Sequence, residues 1–165
     1  MVNVPYRPNV AVVVFNAQGE VLQGERIDIP NAWQFPQGGI DENESPLTAA
    51  KRELYEEVGI QDAILVYEYP DWLTYDYPPE IQAKFQQAGK QYNQGQTQKW
   101  FLFYWDGDIQ TCNLERDREF RAVKFVPIRD SLQGVAEFKR QVYETVLPVL
   151  EAKIREYLRA ENPAL

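Results

Sequence analysis

The chain has 165 residues, 44% of them hydrophobic, and 17 Lys and Arg against 25 Asp and Glu give a net charge of −8. This supports one domain with a proper core and argues against a broad basic face for gripping long nucleic acid, though not against binding one phosphorylated end. There is no histidine and a single cysteine, Cys112, which excludes His-based triads, imidazole zinc sites and an internal disulfide, and leaves acid–base work to carboxylates, Lys, Tyr or metal-bound water.

Residues 9–15 (NVAVVVF) form a nearly unbroken, β-branched apolar run, which predicts a buried strand. Residues 16–19 read as a turn and 20–25 as the returning hairpin strand. Pro30 marks a loop. A short strand at 33–35 then delivers the chain to Gln37, Gly38 and Gly39, where two glycines permit backbone angles other residues resist. Such a loop entering a helix leaves N–H groups free for an anion or a water.

Ser45 is a good N-cap, Pro46 suits a first turn, and Gly59 suits a left-handed C-terminal position. A helix over 46–58 follows. Leu47, Ala50, Leu54 and Val58 recur at helical spacing and face a core. Glu53, Glu56 and Glu57 sit at i, i+3 and i+4, with Arg52 the only cation in the last two turns. Such like charges repel by a few tenths of a kcal/mol per pair. From these residues alone two readings stand: an ordinary acidic face, or oxygen ligands for Mg²⁺ or Mn²⁺.

Residues 63–69 and 72–77 read as strands. Pro78 and Pro79 break the second, and 80–96 reads as a polar, glutamine-rich insertion with a helical turn or two around 81–85. A strong strand spans 98–105 (QKWFLFYW) and another 120–126. A helix spans about 135–159, with Pro148 expected to kink or divide it. The order predicts an α+β fold with a mixed sheet and helices on its faces. No run approaches the roughly 20 apolar residues of a membrane span, and no signal peptide is expected. With Cys112 read as a buried inert thiol, a cytoplasmic protein is expected.

Gly38, five residues, Glu44, seven residues, then Arg52-Glu53-Leu54-x-Glu56-Glu57-x-Gly59-Ile60 resembles the complete signature of the Nudix hydrolases, nine fixed positions over twenty-three residues. The likeness extends to Tyr6-Arg7-Pro8-Asn9-Val10, Trp33-Gln34-Phe35-Pro36-Gln37-Gly38-Gly39, Trp72 to Pro78, Gln98-Lys99-Trp100-Phe101 and Phe138-Lys139-Arg140-Gln141-Val142-Tyr143. These are similar to one branch, the bacterial RNA pyrophosphohydrolases and plant-type diadenosine tetraphosphate hydrolases, over about residues 5 to 145.

The resemblance implies a single Nudix domain over 1–165, an α/β/α sandwich, and Mg²⁺-dependent (or Mn²⁺-dependent) hydrolysis of a phosphoanhydride. It implies metal ligation by Glu53, Glu56, Glu57 and the loop residue Glu119. Glu53 and Glu57 are the catalytic candidates, Glu53 for orienting or deprotonating water, with Arg52 bracing the glutamates. Arg7, Arg26 and Lys99 are the candidate phosphate cations. Gln37, Gly38, Gly39, Tyr75 and Tyr77 are candidates along the substrate path, and Phe138 with Arg26 for sandwiching a base. Read as residues alone, Phe138 equally fits core packing, and Tyr75 and Tyr77 equally fit an alternating strand. The expected partner is a nucleotide polyphosphate or an RNA 5′ end, with no membrane and no obligate protein partner. The leading reaction converts a 5′-triphosphate end to a monophosphate with release of pyrophosphate. The alternative is asymmetric cleavage of diadenosine tetraphosphate to ATP and AMP. A non-catalytic nucleotide sensor is the reading from another class. Two features depart from the branch: Arg121-Ala122-Val123-Lys124-Phe125 replaces an acidic residue followed by tryptophans, and the net charge is acidic.

Overall fold

The computed structural model describes residues 6–162. Its axis is β1, Tyr6–Phe15, which runs parallel to β7, Gly95–Tyr104, in register along its whole length from Tyr6 beside Gly95 to Phe15 beside Tyr104. The other pairings are antiparallel. β2 (Val21–Arg26) joins the far end of β1 and carries β3 (Trp33–Gln34) and β8 (Phe120–Val126). The near end of β1 is taken by β4, Gln37–Gly39. β5 (Ile64–Glu68) and β6 (Leu73–Asp76) both pair with β7.

The apolar run of β1 is continuous because both of its faces are covered. Val10, Val12 and Val14, with Phe101 and Phe103 of β7, pack against α1, Pro46–Val58. Ala11, Val13 and Phe15, with Trp100 and Leu102, pack against α3, Glu137–Glu161. The result is a helix–sheet–helix sandwich. The bounds of α1 are those its caps predict. The Ser45 side chain accepts from the Thr48 N–H, and Gly59 turns left-handed at φ 77°.

Three expectations need revising. Residues 37–39, read as a loop, form strand β4 because they pair antiparallel with residues 9–11 of β1. α3 is one helix that contains Pro148 in its interior, so Pro148 is no boundary between two helices. Val146, Leu147 and Leu150 around it are buried, and this packing offsets the lost backbone bond. The insertion holds a longer helix than expected, α2, Pro79–Gln87, with no buried residue. It is held by Gln82, whose amide donates to the Tyr77 carbonyl at 2.8 Å, and by Phe85 edge-on to Tyr77. No helix of the described residues is long and apolar enough to cross a membrane.

Candidate active site

The acidic half of the site lies on the α1 side. Glu53 and Glu57 are one turn apart and both buried, whereas Glu56 is half-exposed. The Arg52 guanidinium has five N–H donors, and all five are engaged. Nε and Nη2 grip both Glu44 oxygens at 2.8 and 3.0 Å. Nη1 reaches Glu53 at 2.8 Å and Glu56 at 3.2 Å, and Nη2 also donates to the Gly39 carbonyl at 2.9 Å. Arg52 thus ties α1 to β4 and orients two of the three helix glutamates. The Arg52 hydrogen bonds hold the Glu44 carboxyl below its ordinary range.

Glu57 has no cation beside it among these contacts. Its one hydrogen bond from the backbone comes from the Gln37 N–H, at 3.4 Å. Burial first, then the neighbouring Glu53 and Glu119 charges, raise its pKa far above the ordinary carboxylate range. Burial also raises Glu53, against the pull of Arg52. Buried carboxyls that cannot all ionise together must keep protons or gain a positive charge beside them.

A divalent cation fits that need. Carboxylate oxygens of Glu53, Glu56 and Asp117 lie within 4.8 Å of one another, and an all-oxygen donor set suits a hard cation. Asp117 was not foreseen in the sequence. The 113–119 loop brings it in: the Asn113 N–H bonds the Val58 carbonyl at 3.0 Å, and the Arg116 guanidinium sits 4.0 Å from the Tyr55 ring centre. Glu119 acts on Glu57 electrostatically but is not in the Glu53–Glu56–Asp117 group.

β4 separates this half from the other. A Cβ on Gly38 would fall 2.1 Å from the Glu53 carboxyl carbon, and a Cβ on Gly39 would fall 2.5 Å from Arg7 Nη2. Only glycines let a carboxylate and a guanidinium approach the strand this closely. Gln37 also faces the Arg7 side, where its side chain accepts from Gln98 at 3.3 Å.

On the α3 side, Tyr75 is buried and its hydroxyl donates to Gln96 at 2.6 Å. Phe138 packs against Tyr75 and Tyr77, with ring centres 5.6 and 6.3 Å apart. Lys139, a further residue not foreseen, holds its Nζ 5.7 Å from the Tyr75 ring and 5.8 Å from the Phe138 ring. Burial, then the charge of Arg26, lowers its pKa. Arg26 itself is paired bidentately with Asp28, at 3.0 and 2.7 Å. The structure therefore gathers Arg7, Arg26, Lys139, Tyr75, Tyr77 and Phe138 around one aromatic, cationic region.

Lys99 does not join them. It is level with Val10, on the α1 side, and its Nζ donates to the Pro70 carbonyl at 2.8 Å. Cys112 is free and half-buried, its thiol pushed up to about 11 by burial and then by Asp108.

Comparison with known proteins fits this geometry. The NUDIX domain family matches residues 5–146. The chain is 39% identical over 167 residues to Nudix hydrolase 25 of Arabidopsis thaliana, covering 97% of this chain and 95% of that one. It is 42% identical over 154 residues to an RNA pyrophosphohydrolase of Helicobacter pylori, covering 89% and 94%. Among solved structures, the dihydroneopterin triphosphate pyrophosphohydrolase of E. coli shares the fold with TM-score 0.66 at 21% identity, covering 86% of this chain and 97% of that one. A buried, arginine-braced glutamate helix behind a glycine strand, in a chain matched over most of its length, makes this protein a member of the Nudix hydrolase family.

Proposed function

We propose that this enzyme hydrolyses the 5′-triphosphate end of RNA, releasing pyrophosphate and leaving a 5′-monophosphate. The observation that carries this is the two-sided site about β4, with buried glutamates beside Gly38 and a cationic, aromatic region beside Gly39. A 5′ end has the same two parts, a polyphosphate and a base. The names of the relatives support the substrate: the Helicobacter pylori protein, 42% identical, is an RNA pyrophosphohydrolase.

Glu53, Glu56, Glu57 and Asp117 are read as the groups that hold divalent cations, Mg²⁺ or Mn²⁺, with Glu119 supplying charge beside Glu57. Bound there, such cations would neutralise the polyphosphate and make a water more acidic. Arg52 keeps Glu53 and Glu56 oriented. Glu53, buried and braced by Arg52, is the residue read as orienting or deprotonating the attacking water. Arg7 lies over Gly39, placed for a phosphate that crosses the strand, while Lys99 adds charge on the metal side. Phe138, Tyr77 and Lys139 are read as the base-contacting surface, since base stacking on an aromatic ring beside a cation suits a single-stranded end. We read the protein as a cytoplasmic, single-domain enzyme that needs no partner protein.

The net charge of −8 favours one second reading, asymmetric cleavage of diadenosine tetraphosphate, a short substrate that needs no extended basic surface. A paired turnover assay with Mg²⁺ separates the two. The proposal expects a higher kcat/KM on a short triphosphate-ended RNA than on diadenosine tetraphosphate. Faster dinucleotide turnover would replace it with the second reading. Turnover of neither would point to another polyphosphate or to a nucleotide sensor.

A further inference from the structure

Gln98 lies on the α3 face of β7, between the aromatic region and the core, and is almost wholly buried. The same face of β7 carries Trp100 and Leu102, so an apolar residue at 98 would be the less costly choice for packing. Its amide is nonetheless committed. Nε2 donates to Asn9 Oδ1 at 3.1 Å and to Gln37 Oε1 at 3.3 Å. Among the described residues its other atom, Oε1, is buried without a partner, as is Trp100 Nε1 two residues on. Buried polar atoms left unpaired are uncommon and call for an explanation. Here the amide is oriented toward Asn9 and Gln37 although that leaves its own oxygen unsatisfied.

Gln37 links the two halves of the site. Its side chain accepts from Gln98 on the α3 side, and its main-chain N–H faces Glu57 at 3.4 Å on the α1 side. Asn9, buried and level with Gly39 on β1, fixes the other end of the link. We propose that Gln98 is a positioning residue for the metal-binding carboxyls: through Asn9 and Gln37 it sets the height of β4 and so presents the Gln37 N–H to Glu57. Hydrogen bonds one step behind a metal ligand typically change metal affinity by about 10- to 100-fold. This inference rests on the reading of Glu53, Glu56 and Glu57 as metal ligands.

The test measures Mn²⁺ binding in the full-length protein without substrate, by the electron paramagnetic resonance of the free ion. Gln98→Met keeps the length of the side chain and removes the amide. Its melting temperature without metal should stay within a few degrees of wild type, because the unpaired Gln98 oxygen is gone while the buried Asn9 Oδ1 loses its donor. Its Mn²⁺ half-saturation should rise about 10-fold, and kcat should fall while KM for the nucleotide substrate stays within about twofold. Gln37→Leu cuts the same link from its half-exposed end, which keeps the inference testable if Gln98→Met fails to fold. In the double variant the two effects should not add, since both break one link.

Unchanged Mn²⁺ binding in a folded single variant would overturn the inference, as would additive effects in the double. So would a weakening of Mn²⁺ binding that only follows a lowered melting temperature, which marks a structural role. Wild-type protein that binds no Mn²⁺ would remove the metal reading and this inference together, whereas wild-type binding with unchanged variants removes this inference alone.

Discussion

The two sides of β4 hold charge in opposite ways. On the α1 side, carboxyls are buried and Glu44, Glu53 and Glu56 are compensated by one arginine with no free donor, while Glu57 has no cation beside it among the described residues. On the α3 side, Lys139 lies against aromatic rings and Arg26 is held by a single exposed carboxylate, Asp28. The first arrangement is rigid and unfinished, which suits the binding of a cation. The second is open to a planar, anionic guest. The acidic side should therefore govern kcat and metal binding, and the aromatic side KM.

The largest effect is expected from Glu57→Gln and Glu56→Gln. Each removes one negative oxygen and little volume, and kcat should fall by on the order of 10²–10⁴-fold, with far-UV circular dichroism unchanged. Full activity in either purified variant would remove the assignment of the acidic side.

Next comes the pH dependence of stability without metal. Glu57 and Glu53 are raised in the folded protein, so the fold keeps protons that the unfolded chain releases above its ordinary carboxylate pKa of roughly 4.3. Stability is then fully present below that pH and falls as pH rises toward the raised values, by up to about 1.4 kcal/mol per pH unit for each such group. The melting temperature of the metal-free protein should drop between pH 5 and pH 8. Added Mg²⁺ should restore it, and more strongly at the higher pH, because binding displaces protons. A metal-free melting temperature that rises with pH would contradict the buried, uncompensated state of Glu57.

On the other side, Phe138→Ala should raise KM for the RNA end by about 10-fold, in the range of roughly 1–3 kcal/mol per stacked base, with kcat held within a few-fold. Lys139→Met should act in the same direction. A loss confined to kcat in either variant would break the division of labour. The smallest expected effect is that of Ser45→Ala, which removes the cap at the Thr48 N–H. It should lower stability by about 1 kcal/mol in a thermal melt, without changing KM.

The same contrast explains what could be read in advance. The acidic side is written in one contiguous stretch, so Ser45, Pro46 and Gly59 define its helix and the spacing of Glu53, Glu56 and Glu57 defines its charges. The reading of Arg52 as a brace came with the family resemblance that this same stretch carries. The aromatic side is assembled from β1, β2, β6 and α3, and no local periodicity reports which residues meet. Lys139 adjoins Phe138 in the sequence, but its place beside Tyr75 depends on where α3 docks. Lys99 is an ordinary strand cation until the register of β7 on β1 puts it level with Val10 and away from Arg7. Asp117 sits in an exposed turn, and the contacts that bring it to Glu53 come from Asn113 and Arg116. Pro148 argued for a kink or a boundary in α3, and the burial of Val146, Leu147 and Leu150 kept the boundary from forming.

The position of β4 between the two sides bears on how a turnover ends. On the proposed reading, a substrate lying across the strand would be a bivalent ligand, with phosphates on one side and base on the other, each anchor raising the effective concentration of its partner. Cleavage between them cuts the tether. Each fragment then holds to one side only and loses the avidity of the whole. Hydrolysis at such a strand would weaken both products at once, so the reaction itself would clear the site for the next molecule.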